Sequence, residues 1–319
     1  MAKETERTQY DRYGLTGNPF HDLSSESLDS IDLFHVNQGV DGEISSLVNE
    51  VMERENKAIV ALLGGLGAGK SERLRIIETN VHEEKHFFCR SDICAETRWV
   101  IRSVAEGIVQ ESKRSKGLKS SSWKKDLTRI AKNASEGYDP HIAGEAIASA
   151  LNANAPAFLA LNDLHWLEVS EDTDNFFHAL HTVFDEVNKG VMIILTCSES
   201  YFGTLMAGRD SLKARINRTL VIPQLNDNEA GLMIAKRMLV KRVVEDMQPL
   251  YPFTQDAISV MNRTANGNPR ELLKVADKVI DIAAKKKAIQ IDEDLVNQAL
   301  AQKPLAEVEA PCAEPGKSA

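Results

Sequence analysis

The sequence predicts an α/β fold: a parallel sheet covered by helices, followed by a small all-helical domain. Three observations predict it. Several short, wholly apolar runs occur, each long enough for a strand buried on both faces. Amphipathic helical stretches separate them, the alternation that a parallel sheet requires. After Pro223 the strands stop and only helical patterns continue.

Residues 1 to about 30 are polar and rich in Ser and Asp, except for Tyr13-Gly14-Leu15-Thr16-Gly17-Asn18-Pro19-Phe20, which reads as a turn anchored by Leu15 and Phe20. Val40, Ile44, Leu47, Val48 and Val51 recur at helical spacing. They lead into the apolar run Ala58 to Leu63, and glycines then open a helix from Ser71 to about Val81. Further buried strands are expected at Phe87–Cys89, Ala157–Leu161, Val191–Leu195 and Thr219–Ile222, the last stopped by Pro223. Helices are expected near 95–111, 140–152 and 172–188. Beyond the boundary, residues 227–246, 254–264, 269–285 and 292–301 are helical, with start signals at Asn226/Asp227, Thr254 and Asp292. This divides the chain into an N-terminal extension (1–30), an α/β domain (31–224), a helical domain (225–303) and a tail (304–319) expected to be disordered.

Composition narrows the function classes. The chain has 319 residues, 43% of them hydrophobic, and a net charge of −9, which excludes wholesale disorder and a uniformly basic coat for nucleic acid. No apolar run reaches the roughly 18 residues of a membrane-spanning helix, and the polar start does not resemble a signal peptide. Cys89, Cys94, Cys197 and Cys312 form no CxxC pair or zinc spacing, which points to a reduced, cytoplasmic setting. His178 and His181 share a helix face with Asp174, a pattern that an amphipathic helix explains better than a metal site.

Chemistry concentrates in Gly64-Gly65-Leu66-Gly67-Ala68-Gly69-Lys70-Ser71, which matches GxxxxGK[ST] between a buried strand and a helix. Small residues there let successive backbone N–H groups turn toward anionic oxygens, and the helix adds its positive N-terminal end. Lys70 would meet the β- and γ-phosphates of ATP, and the Ser71 hydroxyl would enter the shell of Mg2+. The first domain is thus expected to be a P-loop nucleotide-binding domain.

Such a site needs a carboxylate at the tip of a neighbouring strand. Phe158-Leu159-Ala160-Leu161-Asn162-Asp163 supplies the strand and tip, but Asn162 stands first and Asp163 second. Asn162 offers a metal only a neutral carbonyl oxygen. Asp163 either orients the attacking water or serves the metal itself; binding survives both readings, while fast hydrolysis does not follow. At the end of another strand, Ser198 can sense the γ-phosphate. Arg270, in Gly267-Asn268-Pro269-Arg270-Glu271-Leu272-Leu273, sits in the first turn of a helix, from which its guanidinium can reach a phosphate.

Together these motifs resemble the AAA+ ATPase family, in order, from about Asp11 to Leu300. GGLGAGKS looks like Walker A, FLALND like a modified Walker B, LTCS like sensor 1, and GNPRELL like the sensor-2 motif of a helical lid. The Tyr13–Phe20 segment is similar to the lead segment of transposition target-selection and secretion ATPases. The lid motif and DLHW look more like origin-recognition initiators and STAND-type signalling ATPases. The resemblance implies a homo-oligomer, ring or filament, in which an arginine from one subunit completes its neighbour's site. Arg209, Arg215 and Arg218 occupy the expected interval, and Arg215 is preferred. Fewer than twenty residues follow Leu300, too few for the winged-helix domain that initiators usually carry.

One segment stands against the acidic balance. Lys113, Arg114, Lys116, Lys119, Lys124, Lys125, Arg129 and Lys132 are accompanied by a single acid, Asp126, with Trp123 interleaved. Such a patch suits salt-dependent contacts to DNA phosphates, with Trp123 stacking on a base; a solvated helix face is the alternative. Three functions remain in view. One is an ATPase switch or assembly factor on DNA, in replication, recombination or transposition; another is a protein-directed, STAND-like ATPase with an unknown protein partner. The third is a nucleotide-binding scaffold with little hydrolysis.

Overall fold

Five segments pair as parallel strands: β1 (Ala58–Leu63), β2 (Phe87–Asp92), β3 (Ala157–Asn162), β4 (Val191–Cys197) and β5 (Arg218–Val221). Their order in the sheet is β2-β3-β4-β1-β5. In this computed structural model the described residues are 9–21, 35–36, 38–114, 122–170, 172–244 and 246–301. The tail at 304–319, with Cys312, and the basic residues Lys116 and Lys119 lie outside them.

β1, β3 and β4 are buried along their whole length because both faces are covered, whereas β5, expected to be a buried strand, lies at the sheet edge with only Leu220 buried. Ala58, Val60 and Leu62 face a cluster with Val40, Ile44, Leu47, Val48 and Val51 of α1 (Gly39–Met52) and Leu74, Ile77 and Val81 of α2 (Lys70–Glu83). Ile59, Ala61 and Leu63 face the opposite cluster. That side is built from α3 (Val100–Arg114), α4 (Ser122–Asn133), α5 (Pro140–Ala153), α6 (Thr173–Glu186), α7 (Glu199–Met206) and α8 (Asp210–Lys213). The helix after β1 thus covers one face while those after β2, β3 and β4 cover the other. This reversal falls at the carboxyl ends of β1 and β4, the kind of position where open α/β sheets bind ligands.

Helix α4 falls inside the basic segment, and its period decides which residues face out. Trp123, Leu127, Ile130 and Ala131 are buried, whereas Lys125, Arg129 and Lys132 are exposed. The expected stacking of Trp123 on a base is therefore corrected: its indole is 5% exposed and belongs to the core. Helix α3 begins at Val100 rather than near 95, because buried Asp172 accepts hydrogen bonds from Val100 N (3.0 Å) and Ile101 N (3.1 Å) and caps it.

The chain divides into two units, one of Ser24–Leu225 with Asn268–Arg270, the other of the remaining N-terminal and C-terminal segments. The second unit contains α9 (Asp227–Lys241), α10 (Gln255–Thr264), most of α11 (Pro269–Lys285) and α12 (Glu293–Ala301). The Tyr13–Phe20 segment packs within this helical unit: Tyr13, Leu15 and Phe20 are fully buried, and Phe20 meets Phe253 edge-on at 5.9 Å. Asn18 Nδ2 donates to both Asp277 and Asp281 at 2.8 Å, and the Tyr10 hydroxyl donates to Asp281. Burial, with that carboxylate, pushes the Tyr10 pKa up to about 12. Helix α9 stops at Lys241, short of the expected residue 246. Leu15 bridges Arg242 in extended pairing, and the Arg242 guanidinium binds the carbonyls of Gln248 (2.8 Å) and Tyr251 (2.7 Å). Among the described residues no helix is long and apolar enough to cross a membrane.

Candidate functional site

The loop Gly64–Gly69 leaves the carboxyl end of β1 and enters α2. Its turn requires left-handed backbone at Gly67 (φ +81°) and Gly69 (φ +89°), a conformation that costs any residue with a Cβ. At Gly67 a Cβ would also stand 2.7 Å from Arg270 Cβ and 2.8 Å from Asn268 Oδ1. Asn268 is tied to the loop, its Nδ2 donating to Leu66 O at 2.7 Å while its Oδ1 accepts Arg270 N at 3.0 Å. Leu66 itself is exposed.

Lys70, the first residue of α2, is 8% exposed and curls back over the loop. Its Nζ donates to Gly64 O at 2.7 Å and Gly65 O at 3.0 Å. Burial lowers its pKa, the Arg270 charge adds to that, and Asp163 and Cys197 oppose it. The charges of Asp163 and Arg270 thus both act on Lys70.

Asn162 and Asp163 lie at the tip of β3. Asn162 is 2% exposed, and its Nδ2 donates to Asp92 Oδ1 (2.8 Å), Asp163 Oδ2 (3.1 Å) and Ser71 Oγ (3.3 Å). Its Oδ1 accepts the Thr196 hydroxyl at 2.6 Å. Asp163 adopts φ +61°, uncommon without glycine, and its backbone N–H donates to Thr196 Oγ1 at 2.9 Å. Ser71, Asn162 and Asp163 are thus brought together, joined by Thr196, which lies within the LTCS motif, and by Asp92, which sequence reasoning did not single out. Asp92 had no local signal, because β2 was expected to end at Cys89.

The other expected residues are engaged differently. Ser198 Oγ accepts Tyr201 N at 3.3 Å and caps α7. Arg215 grips Asp185 with Nε at 2.5 Å and Nη2 at 2.9 Å. Arg209 pairs with Asp174 at 3.0 Å and lies over the Phe177 ring at 4.4 Å. Arg218 Nη1 donates to Asn217 O at 3.1 Å, and among the described residues it forms no ion pair. No described hydrogen bond or ion pair joins these arginines to the Gly64–Ser71 loop.

On the outer face of α4, Lys124, Lys125, Thr128, Arg129, Lys132 and Asn133 line an open depression of about 480 Å³. Lys113 and Arg114 close α3, and Arg114 pairs with Glu111 at 3.4 Å. His178 and His181 line a separate open cavity of about 530 Å³ with Asp174 and Arg209.

No protein-family model matches the chain. One curated relative, an uncharacterized HTH-type transcriptional regulator of Methanocaldococcus jannaschii, is 26% identical over 125 residues, 39% of this chain and 29% of that protein. The chain therefore spans less than a third of that relative's length. Solved structures match over most of the chain. Drosophila ORC bound to DNA superposes with a TM-score of 0.58 at 13% identity, covering 94% of this chain and 67% of that one. The Aeropyrum pernix ORC2 protein, in ADPNP and ADP complexes, gives 0.55 at 13% identity, with 86% and 72% covered. A point mutant of Thermotoga maritima RuvB gives 0.51 at 14% identity, with 83% and 69% covered. At these identities the likeness is one of architecture: the chain has the fold of the AAA+ P-loop ATPases, of the kind seen in origin-recognition proteins and RuvB.

Proposed function

We propose that the chain is a nucleotide-dependent switch or assembly factor that binds ATP with Mg2+ at Gly64–Ser71, hydrolyses it, and acts on DNA. The observation that carries this reading is the loop itself. Two left-handed glycines turn it at the head of α2, with a buried ammonium held on carbonyls that a phosphate chain can replace. The donor set beside it, the Ser71 hydroxyl and the Asp163 carboxylate, is all oxygen and suits a hard divalent cation.

In this reading the loop amides and the N-terminus of α2 bind the phosphates, and Lys70 moves its ammonium from Gly64 O and Gly65 O to the β- and γ-oxygens. Ser71 Oγ holds Mg2+, which when bound neutralises charge developing on the transferred phosphoryl group. Asp163 orients the attacking water, and Thr196 holds Asp163 and Asn162 in place. Arg270 reports phosphate occupancy, and Ser198, from the head of α7, senses the γ-phosphate. The partners are further copies of the chain, with Arg215 or Arg218 completing a neighbour's site, and DNA along the α4 cations.

The test is titration of a fluorescent ATP analogue into wild type and Lys70→Ala. The ammonium is largely out of solvent, where one charge pair at about 4 Å is worth roughly 4 kcal/mol at an effective dielectric of about 20. The variant should therefore bind at least a hundredfold more weakly, and equal binding by both proteins would remove the site assignment.

A second reading, a protein-directed ATPase, is favoured by exposed Leu232, Leu239 and Val240 along α9, followed by exposed Val243 and Val244. Binding of a partner that survives nuclease treatment distinguishes it. A scaffold with little turnover is favoured by Asn162, and a large gain in turnover for Asn162→Asp would support that.

A further inference from the structure

The Asn162 amide has a definite orientation. Thr196 Oγ1 accepts the Asp163 N–H at 2.9 Å, so its single proton is directed to Asn162 Oδ1 at 2.6 Å. Asn162 Nδ2 is thereby turned toward Asp92, Asp163 and Ser71, whose oxygens all lie within 3.3 Å of this one nitrogen. An aspartate at position 162 would bring three carboxylates to a single point, where like charges oppose one another. The amide instead joins two.

Asp92 is the last residue of β2 and lies in register with Asn162 of β3. The negative charge that position 162 lacks is therefore present one strand away. Arg90 Nη2 and Nε, at 2.7 and 2.8 Å, and Asn162 Nδ2, at 2.8 Å, all approach Asp92 Oδ1. Among the described residues, none of these hydrogen bonds reaches Oδ2. The Asp92 side chain is 57% exposed, which leaves the carboxylate within reach of water and of a hydrated cation.

We propose that Asp92 is the carboxylate that holds the nucleotide's divalent cation in place of the acid missing at Asn162, with Asn162 acting as a positioning amide that aligns Asp92 and Asp163. The proposal rests on the nucleotide-binding reading above and names a residue of that same site. It moves the first acidic position from the strand beside the loop strand's neighbour to the strand beyond, and it makes Arg90 a competitor: the guanidinium and the cation draw on one carboxylate.

The test uses the full chain with ADP and Mn2+ as the probe. ADP affinity is measured in EDTA with a fluorescent analogue, and Mn2+ affinity of the ADP complex is measured by electron paramagnetic resonance. Asp92→Asn should lower Mn2+ affinity about tenfold or more, the usual scale for an outer-shell ligand. The swap Asp92→Asn/Asn162→Asp restores two carboxylates and one amide and should recover most of that loss. Arg90→Ala should tighten Mn2+. Unchanged Mn2+ affinity in Asp92→Asn, with ADP still bound in EDTA, overturns the role of Asp92 and leaves the nucleotide reading intact. A swap variant no better than Asp92→Asn also overturns it. Failure of the wild type to bind ADP in either condition defeats the nucleotide reading, and this inference with it.

Discussion

Adding one methyl group at Gly67 should damage the site, while adding it two residues earlier should not. Alanine at Gly67 must keep φ +81° or distort the loop, and left-handed backbone costs an L-residue about 1–2 kcal/mol. The same Cβ would stand 2.7 Å from Arg270 Cβ, an atom fixed to the backbone, so the chain itself must move. Overpacking of this kind typically costs a further 1–3 kcal/mol or so. Even the low end, about 2 kcal/mol, is roughly a thirtyfold loss when the loop must regain its turn to bind phosphate. At Gly65 a Cβ meets nothing within 4 Å and needs no left-handed backbone. The assay is titration of a fluorescent ATP analogue into both alanine variants, with thermal unfolding alongside. Gly67→Ala binding within threefold of wild type, or Gly65→Ala falling equally far, would refute the reasoning.

Asp172→Ala strips the cap from α3, leaving two buried amides without the carboxylate they share. Urea unfolding should show a loss of about 3 kcal/mol, with Asp172→Asn, which keeps one acceptor oxygen, losing less. Burial alone would raise the Asp41 pKa, but hydrogen bonds from His35, Arg73 and the Gln38 backbone hold it at about 2. Its stabilisation is therefore complete above the ordinary value of 3.8 and fades as pH falls toward 2, which the acid-unfolding midpoint of Asp41→Asn should report. His35 is opposed by burial yet raised above 6.5 by Asp41 and Glu72, so its contribution is complete below that pH and lost as the pH climbs through the raised value. The stability gap between wild type and His35→Gln should accordingly shrink as the pH rises above 6.5, as followed by urea midpoints. If α4 contacts DNA phosphates, replacing Lys125, Arg129 and Lys132 by alanine should reduce the slope of log affinity against log salt by about 2 to 3. An unchanged slope in filter binding would remove that face from the interface.

The α/β class was legible because a strand buried on both faces must be apolar throughout, and Ala58–Leu63 and Ala157–Leu161 carry that pattern locally. The loop was legible for a similar reason: a turn with two left-handed positions needs glycine at Gly67 and Gly69, whatever surrounds it. The burial of Trp123 was partly legible. The helical spacing of Trp123, Leu127 and Ile130 was present, but the charges around them masked it.

What the chain alone determined, then, was whatever a few consecutive residues decide through backbone conformation and periodicity: most of the elements, their order, and the glycine-rich turn at Gly64–Gly69. Tertiary structure decided the partners. Asp92 meets Asn162 only through the parallel register of β2 and β3, elements separated by α3, α4 and α5. Arg215 is held by Asp185 because α8 and α6 pack on one face of the sheet, and Tyr10 finds Asp281 from the other end of the chain. Periodicity tells a residue which face it occupies. Which residue it meets there depends on register and packing between elements far apart in the chain, and no local pattern encodes that.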